Sequence, residues 1–412
     1  MAIVKPFCAV RPRADLVSQV AALPYDVYNR KEAREAVKGK PYSFLNIDRP
    51  ETQLDPSIDI YDDAVYEKAK ELLNKHIEAG IYLRDWSACY YIYELTMNGR
   101  TQTGIVGCSS IDDYETGVIK KHENTRADKE MDRIRHVDAC SAQTGPIFLA
   151  YRSNETINEI VAMVKRDEMP IYNFVAEDGI RHQVWKIGDP GRIQILEEAF
   201  SKIPNTYIAD GHHRAASAVK VGQGRRNQHP DYTGNEEFNY FLSVLFPDDE
   251  LYIMDYNRTV KDLNGYTKKE FMEKVEENFQ VDFVGKTPFA PMKKNTFGMY
   301  IDNNWYCLTA KDSIKNEDPV KGLDVSILQD YLLSPVLGIK DPKNDMRIDF
   351  IGGIRGLKEL ERRADMDMRV SFSMYPTTIS ELFAVADANL LMPPKSTWFE
   401  PKLRSGLFIH TF

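Results

Sequence analysis

The sequence predicts an α+β protein of mixed sheets, hairpins and helices. Three observations carry this. The hydrophobic period changes repeatedly between helical spacing and strict alternation. The strand-like runs are joined by short turn signals such as Asn98-Gly99, which make antiparallel hairpins rather than the long crossovers of a parallel sheet. The chain's 412 residues also exceed what one hydrophobic core usually serves. Two regions are therefore expected, residues 1–250 and a C-terminal α+β lobe over 251–412.

Residues 14–22 and 31–38 read as short helices separated by Leu23-Pro24-Tyr25-Asp26-Val27, where proline stops a helix and aspartate suits a turn or a ligand. Residues 61–79 carry Ala64, Val65, Ala69, Leu72, Leu73 and Ile77 at helical spacing, with Gly80 as a stop. Residues 88–94 and 102–108 alternate as a hairpin over Asn98-Gly99. Helices are expected at 127–139, 155–166 and 190–202, and strands at 147–151, 171–176 and 183–187, the last two bracketing Glu177-Asp178-Gly179. A short buried strand, 206–209, runs into Asp210-Gly211-His212-His213-Arg214 and a helix over 215–221. Residues 222–235, rich in Gly, Arg, Asn, Gln and Pro, read as a loop. Residues 238–246 read as a strand buried on both faces.

The second half continues the alternation. A helix is expected at 267–279, a hairpin from 297–302 and 305–309 over Asn303-Asn304, and a helix at 325–333. A strand at 348–351 leads through Gly352-Gly353 to a helix ending near Arg363, followed by a strand at 369–374 and a helix at 379–386. The loop 392–404 and a strand at 407–412 complete the chain.

Composition narrows the function. The net charge of −9 argues against broad polyanion binding, which needs a basic footprint, but permits one local phosphate site. The five cysteines are widely spaced, without a C-x-x-C pair. That predicts a reducing compartment and no disulfide framework. The N-terminal stretch lacks a signal peptide's apolar core, and no apolar run approaches a membrane span. A soluble, cytoplasmic protein is expected.

The sharpest motif is Asp210 to Arg214. A strand ending in Asp-Gly and opening a helix presents backbone N–H groups where the helix dipole favours an anion. Gly211 permits close backbone approach, and Arg214 brings a fork for phosphate oxygens. Two of the eight histidines, His212 and His213, lie here. The plainer alternative is a helix capped by Asp210 with solvent-facing imidazoles. His122-Glu123-Asn124-Thr125-Arg126 could supply a general base or be a solvated loop, and Arg126 stands where a zincin motif needs histidine. Met392-Pro393-Pro394-Lys395-Ser396-Thr397 could close over phosphate or pack rigidly on the surface.

Taken in order, these stretches resemble the bacterial and archaeal family labelled domain of unknown function 1015. The resemblance runs through Lys5-Pro6-Phe7, Pro24-Tyr25-Asp26-Val27, Tyr93-Glu94, His122-Glu123-x-Thr125, Asp132-Arg133 and Pro146-Ile147-Phe148. It continues through His182-x-x-Trp185, Ile208 to Arg214, Asn239-Tyr240, Gly352-Gly353 and Met392 to Thr397. Some members resemble kinases of free L-serine, and Asp-Gly-His-His-Arg is similar to the nucleotide motif of ParB-like and sulfiredoxin-like folds. The resemblance thus implies a ParB/sulfiredoxin-like catalytic core in 1–250, with the covering loop 392–404 supplied by the second lobe. It implies a kinase that moves phosphate from ATP or ADP, with Mg²⁺, to the hydroxyl of L-serine.

In that reading Glu123 is the base, assisted by His122, and Asp210 positions Mg²⁺ or the motif's backbone. Gly211, His212, His213, Arg214 and Lys395 hold nucleotide phosphates, while Tyr25, Asp26, Thr125 and Arg126 bind substrate. The expected partners are a nucleotide and a small-molecule substrate, without nucleic acid or membrane; a homodimer is compatible with the reading. The alternatives are a ParB-like nucleotide-responsive or nucleic-acid-binding protein, and a metal-dependent phosphohydrolase using His212, His213, Asp210 and His122.

Overall fold

Tyr240–Pro247 is buried at every position, the pattern of a strand covered on both faces. It lies inside a nine-stranded mixed sheet. The computed structural model describes residues 1–412, which divide into two units. The first comprises residues 1–121, 125–251 and 401–412; the second comprises 122–124 and 252–400.

The large sheet belongs to the first unit. Its order is Ile119–Lys120, Thr206–Asp210, Ile147–Tyr151, Tyr240–Pro247, Arg100–Ser110, Tyr90–Met97, Arg181–Ile187 and Tyr172–Val175, with Val4–Lys5 also pairing to Arg100–Ser110. Tyr240–Pro247 runs parallel to Ile147–Tyr151 and antiparallel to Arg100–Ser110. The expected hairpin is present: Met97 pairs with Arg100, and Asn98 and Gly99 have φ of 51° and 79°. These are the two left-handed residues of a type I′ turn.

The sheet's main core gathers Leu149, Ile208, Phe241 and Leu245 with Ile157, Ile160 and Val164 of the helix Glu155–Asp167 and Leu196 and Phe200 of the helix Pro190–Phe200. A second core in this unit packs Phe44, Leu45 and Ile47 against Leu73, Tyr82 and Ile409. Leu73 comes from Asp63–Glu78, the amphipathic helix the spacing predicts.

The second unit is built on a six-stranded sheet ordered Phe279–Gly285, Asn304–Ala310, Thr296–Ile301, Val370–Met374, Tyr256–Val260 and Ile348–Gly352. All its pairings are antiparallel. Local turn signals can specify such a sheet, and the α+β class holds in both units.

Three expectations need correction. The hairpin turn is Asp302-Asn303, at φ 50° and 57°, because Asn304 already pairs with Ile301. The C-terminal strand is only His410–Thr411, paired with Ala142–Gln143, while Ile409 bridges Val10. The stretch 222–235 is not all loop: the helix His212–Gln228 runs through its first half. Tertiary contacts override the poor helix composition there. Arg226 donates to Asn239 at 2.6 Å and forks onto Asp112 at 2.6 and 2.8 Å. A Cβ on Gly222 would lie 2.4 Å from the Phe238 carbonyl oxygen, so glycine permits the close packing.

Two substitutions only two residues apart in this helix should therefore act oppositely. Gly222→Ala forces the helix off its neighbour and should destabilise the chain by about 1–3 kcal/mol. Gly224 has open space around its Cβ position, so Gly224→Ala should stabilise by roughly 0.5–1 kcal/mol. Urea unfolding midpoints check both signs.

Candidate functional site

The strand Thr206–Asp210 pairs in parallel with Ile119–Lys120 and antiparallel with Ile147–Tyr151, where its register slips between Ile208 and Asp210. The chain then turns on one residue. Gly211 has φ +94° and ψ 33°, and the helix His212–Gln228 starts behind it with no side-chain cap. The Asp210 carboxylate faces two cations, Arg214 Nη2 at 3.3 Å and Lys402 Nζ at 3.6 Å. Arg214 also donates from Nη1 to the Pro146 carbonyl at 2.5 Å. A Cβ on residue 211 would stand 3.1 Å from Arg214 Nε. The turn thus needs glycine both for its φ and for the guanidinium lying against it. Arg214 spends much of its fork bracing this turn.

The two histidines differ. His212 is buried, and His213 is half-buried. His213 Nε2 accepts the Arg126 backbone N–H at 2.9 Å, so a neutral ring carries its proton on Nδ1. The segment before the helix Ala127–Cys140 is held a second time, because Thr125 Oγ1 donates to Glu130 Oε2 at 2.6 Å. Glu130 is buried and ion-paired with Lys220, and Ser217 Oγ donates to its backbone carbonyl at 3.0 Å. Burial pushes the Glu130 carboxyl up, but Lys220, Thr125 and His213 outweigh it and hold it below the ordinary range.

Tyr25 heads the short turn Tyr25–Val27, and the Arg133 guanidinium lies 4.0 Å from its ring centre. Burial works against the Arg133 charge, but Asp132 at 2.9 Å keeps it ionised. Tyr25, Arg133, His136, Thr144, Arg214 and Ser405 line a cavity of about 30 Å³, room for about one water. Asp26 and Arg126 are exposed, and Arg126 forks onto Asp128 at 3.2 and 3.0 Å.

His122, Glu123 and Lys395 belong to the second unit. There the structure joins two motifs 275 residues apart in the chain. The Met392 N–H donates to the His122 carbonyl at 2.8 Å, and Thr397 Oγ1 lies 3.5 Å from His122 Nε2. Ser396 Oγ closes the loop on the Pro393 carbonyl at 2.6 Å. Lys395 adopts φ +61°, and its ammonium sits 5.7 Å from the Tyr256 ring centre. The predicted residues therefore fall into two sets. Tyr25, Asp26, Thr125, Arg126 and Asp210 to Arg214 are carried by the first unit; His122, Glu123 and Lys395 by the second. No group of three or more His, Cys, Asp or Glu side chains is arranged to hold a metal ion.

Sequence reasoning missed Glu130, Lys220 and Lys402. The first two lie on different helices and Lys402 on a distant loop, so no local pattern marks them. It also left the motif His182-x-x-Trp185 without a role. His182 is fully buried and stacks with Tyr93 and Phe174, with ring centres 5.8 and 5.1 Å away. Its Nδ1 meets the Tyr93 hydroxyl at 2.8 Å, and its Nε2 accepts from Arg404 Nε at 3.2 Å. Arg404 is itself ion-paired with Asp178. Burial, with the Arg404 charge adding to it, pushes the imidazole down to about 3.

Comparison with known proteins gives one family. The sequence profile described as "Protein of unknown function (DUF1015)" matches residues 4–326. No curated protein matches the chain. Among solved structures, a free serine kinase in complex with AMP is similar at TM-score 0.36 and 15% identity, covering 74% of this chain and 91% of that one. A mutant free serine kinase in complex with ADP is similar at TM-score 0.36 and 16% identity, covering 75% and 93%. SbnI with a C-terminal truncation, from Staphylococcus aureus, is similar at TM-score 0.39 and 10% identity, covering 74% and 87%. No helix is long and apolar enough to cross a membrane.

The buried His182 fixes a pH dependence. An unfolded chain protonates this residue near pH 6.5, whereas the folded chain does so only near 3. Stability contributed by the neutral ring is complete above about 6.5 and drains away as pH falls towards 3, by an amount on the order of several kcal/mol. The urea midpoint should drop over that window, and His182→Gln should make the acid slope shallower. An unchanged slope in the variant would locate the acid sensitivity elsewhere.

Proposed function

The chain belongs to the DUF1015 family, and we propose that it is a nucleotide-dependent small-molecule kinase whose acceptor is free L-serine. The observation that carries this reading is the turn at Gly211. A left-handed glycine opens a helix whose N-terminal end favours an anion, and Arg214 and Lys402 stand beside it around the Asp210 carboxylate. This suits a polyphosphate better than a protein-caged metal.

In this reading Gly211, His212, His213 and Arg214 hold the nucleotide phosphates, with Lys395 contributing a further cation. His213 donates from Nδ1, the tautomer that the Arg126 N–H selects. Tyr25, Asp26, Thr125 and Arg126 line the acceptor side, and the bonds to Glu130 and His213 keep Thr125 and Arg126 in place. Glu123 takes the proton from the serine hydroxyl as its oxygen attacks the terminal phosphorus. The bond from that phosphorus to the leaving nucleotide breaks, giving O-phospho-L-serine and the shortened nucleotide. Asp210 fits as the one protein carboxylate for Mg²⁺, an ion that keeps most of its ligands as water and phosphate oxygen. Bound there, the ion would neutralise phosphate charge. Phosphoryl transfer asks mainly for positioning and charge neutralisation, so no covalent nucleophile is required.

The test is direct. Purified protein with L-serine, Mg²⁺ and either ATP or ADP should yield O-phospho-L-serine, and no product with either donor removes serine as acceptor. Glu123→Gln should lower turnover by about 100-fold or more while leaving nucleotide affinity near wild type. A full rate in that variant removes Glu123 as base. Gly211→Ala should raise the nucleotide KM, because the new Cβ meets both an unfavourable φ and the Arg214 guanidinium.

A further inference from the structure

Arg258 of the strand Tyr256–Val260 is 3% exposed. Its neighbours across the sheet are Phe350 and Phe372, and its guanidinium lies 5.3 Å from the Phe350 ring centre. Its hydrogen bonds go to two backbone carbonyls, those of Tyr256 and Lys395, the latter at 3.0 Å. None of these partners is a carboxylate. Other buried charges in the chain are treated differently: Arg133 has Asp132, Arg404 has Asp178 and Glu130 has Lys220. Burial lowers Arg258 to about 10. A buried cation compensated only by neutral carbonyls and ring faces is an expensive way to fill space, and an apolar side chain of similar length would do so more cheaply.

What the guanidinium holds explains its retention. The carbonyl it binds is that of Lys395, which sits at φ +61°, a conformation a lysine keeps only when its surroundings fix it. The following carbonyl, of Ser396, accepts from Thr377 Oγ1 at 2.9 Å. Lys395 and Arg258 both rest on Tyr256, one on its ring and the other on its carbonyl. Trp398 packs edge-on to Tyr256 at 5.0 Å and closes over Gly352, where a Cβ would lie 2.7 Å from the indole. The loop built this way is the one that binds the backbone and ring of His122.

We propose that Arg258 is a positioning residue for phosphate recognition: it fixes the Lys395 turn and gives the second unit a standing positive charge, which the oxygens of a bound polyphosphate neutralise. The nucleotide as source of that polyphosphate rests on the kinase reading above; the charge and the turn do not.

Inorganic tripolyphosphate binding to the full chain, measured by calorimetry beside ATP and ADP, separates the two. Wild type should bind tripolyphosphate. Arg258→Met should weaken that binding about tenfold or more, while its ligand-free thermal midpoint stays level or rises, since an unpaired buried charge has been removed. Arg258→Lys, which keeps the charge without the fork, should recover part of the affinity. A purely structural arginine gives the opposite pattern, with the midpoint of Arg258→Met falling and affinity falling only alongside it. That pattern, or wild-type affinity in Arg258→Met, overturns the proposal. Tripolyphosphate binding without ATP or ADP binding removes the kinase reading and leaves Arg258 in its role. A wild type that binds none of the three overturns both.

Discussion

The turn at Gly211 is the constraint on which the first unit's site depends. A buried strand must become a helix within one residue, and only a left-handed glycine does this without a Cβ striking the guanidinium beside it. Arg214 then ties the turn to Pro146 on one side and to Asp210 on the other. Asp210 in turn draws Lys402 from the C-terminal segment. One backbone conformation therefore fixes the helix end and the cations near it. The strand register that delivers it is set by ordinary sheet pairing with Ile147–Tyr151.

Charge handling is the second theme. With a net charge of −9, a phosphate site cannot rely on the general field of the molecule. The fold instead sets buried ions against specific partners. Glu130 illustrates this. Its carboxylate satisfies Lys220 and the Thr125 hydroxyl together, so the segment carrying Thr125 and Arg126 is fixed against the helix that carries His213. Arg258 departs from the pattern by having carbonyls where the others have opposite charges, and that departure is what draws attention to the Lys395 turn.

The elements were largely legible because they rest on local physics. Asn98-Gly99 requires two left-handed residues and obtains them, and the 3.6-residue spacing of Leu72, Leu73 and Ile77 makes one face of a helix. The failures are equally physical. Residues 222–228 look like loop by composition, yet they are helical because Gly222 fits under the Phe238 carbonyl and Arg226 reaches Asp112 and Asn239. Asp112 is 114 residues from Arg226, and Phe238 and Asn239 lie beyond the end of the helix, so the local composition does not show these contacts.

The sequence alone determined the α+β class, the family and the identity of the motif residues, since periodicity, turn chemistry and ordered short motifs are properties of neighbours along the chain. Tertiary structure alone decided what those residues touch. It made Asp210 an ion-pair partner of Arg214, His182 a buried neutral ring beside Tyr93, and Glu130 the anchor of Thr125. It also joined His122 to the loop at Met392. The reason is range: hydrogen bonds and ion pairs act over a few ångströms of space, and folding alone brings distant parts of the chain that close.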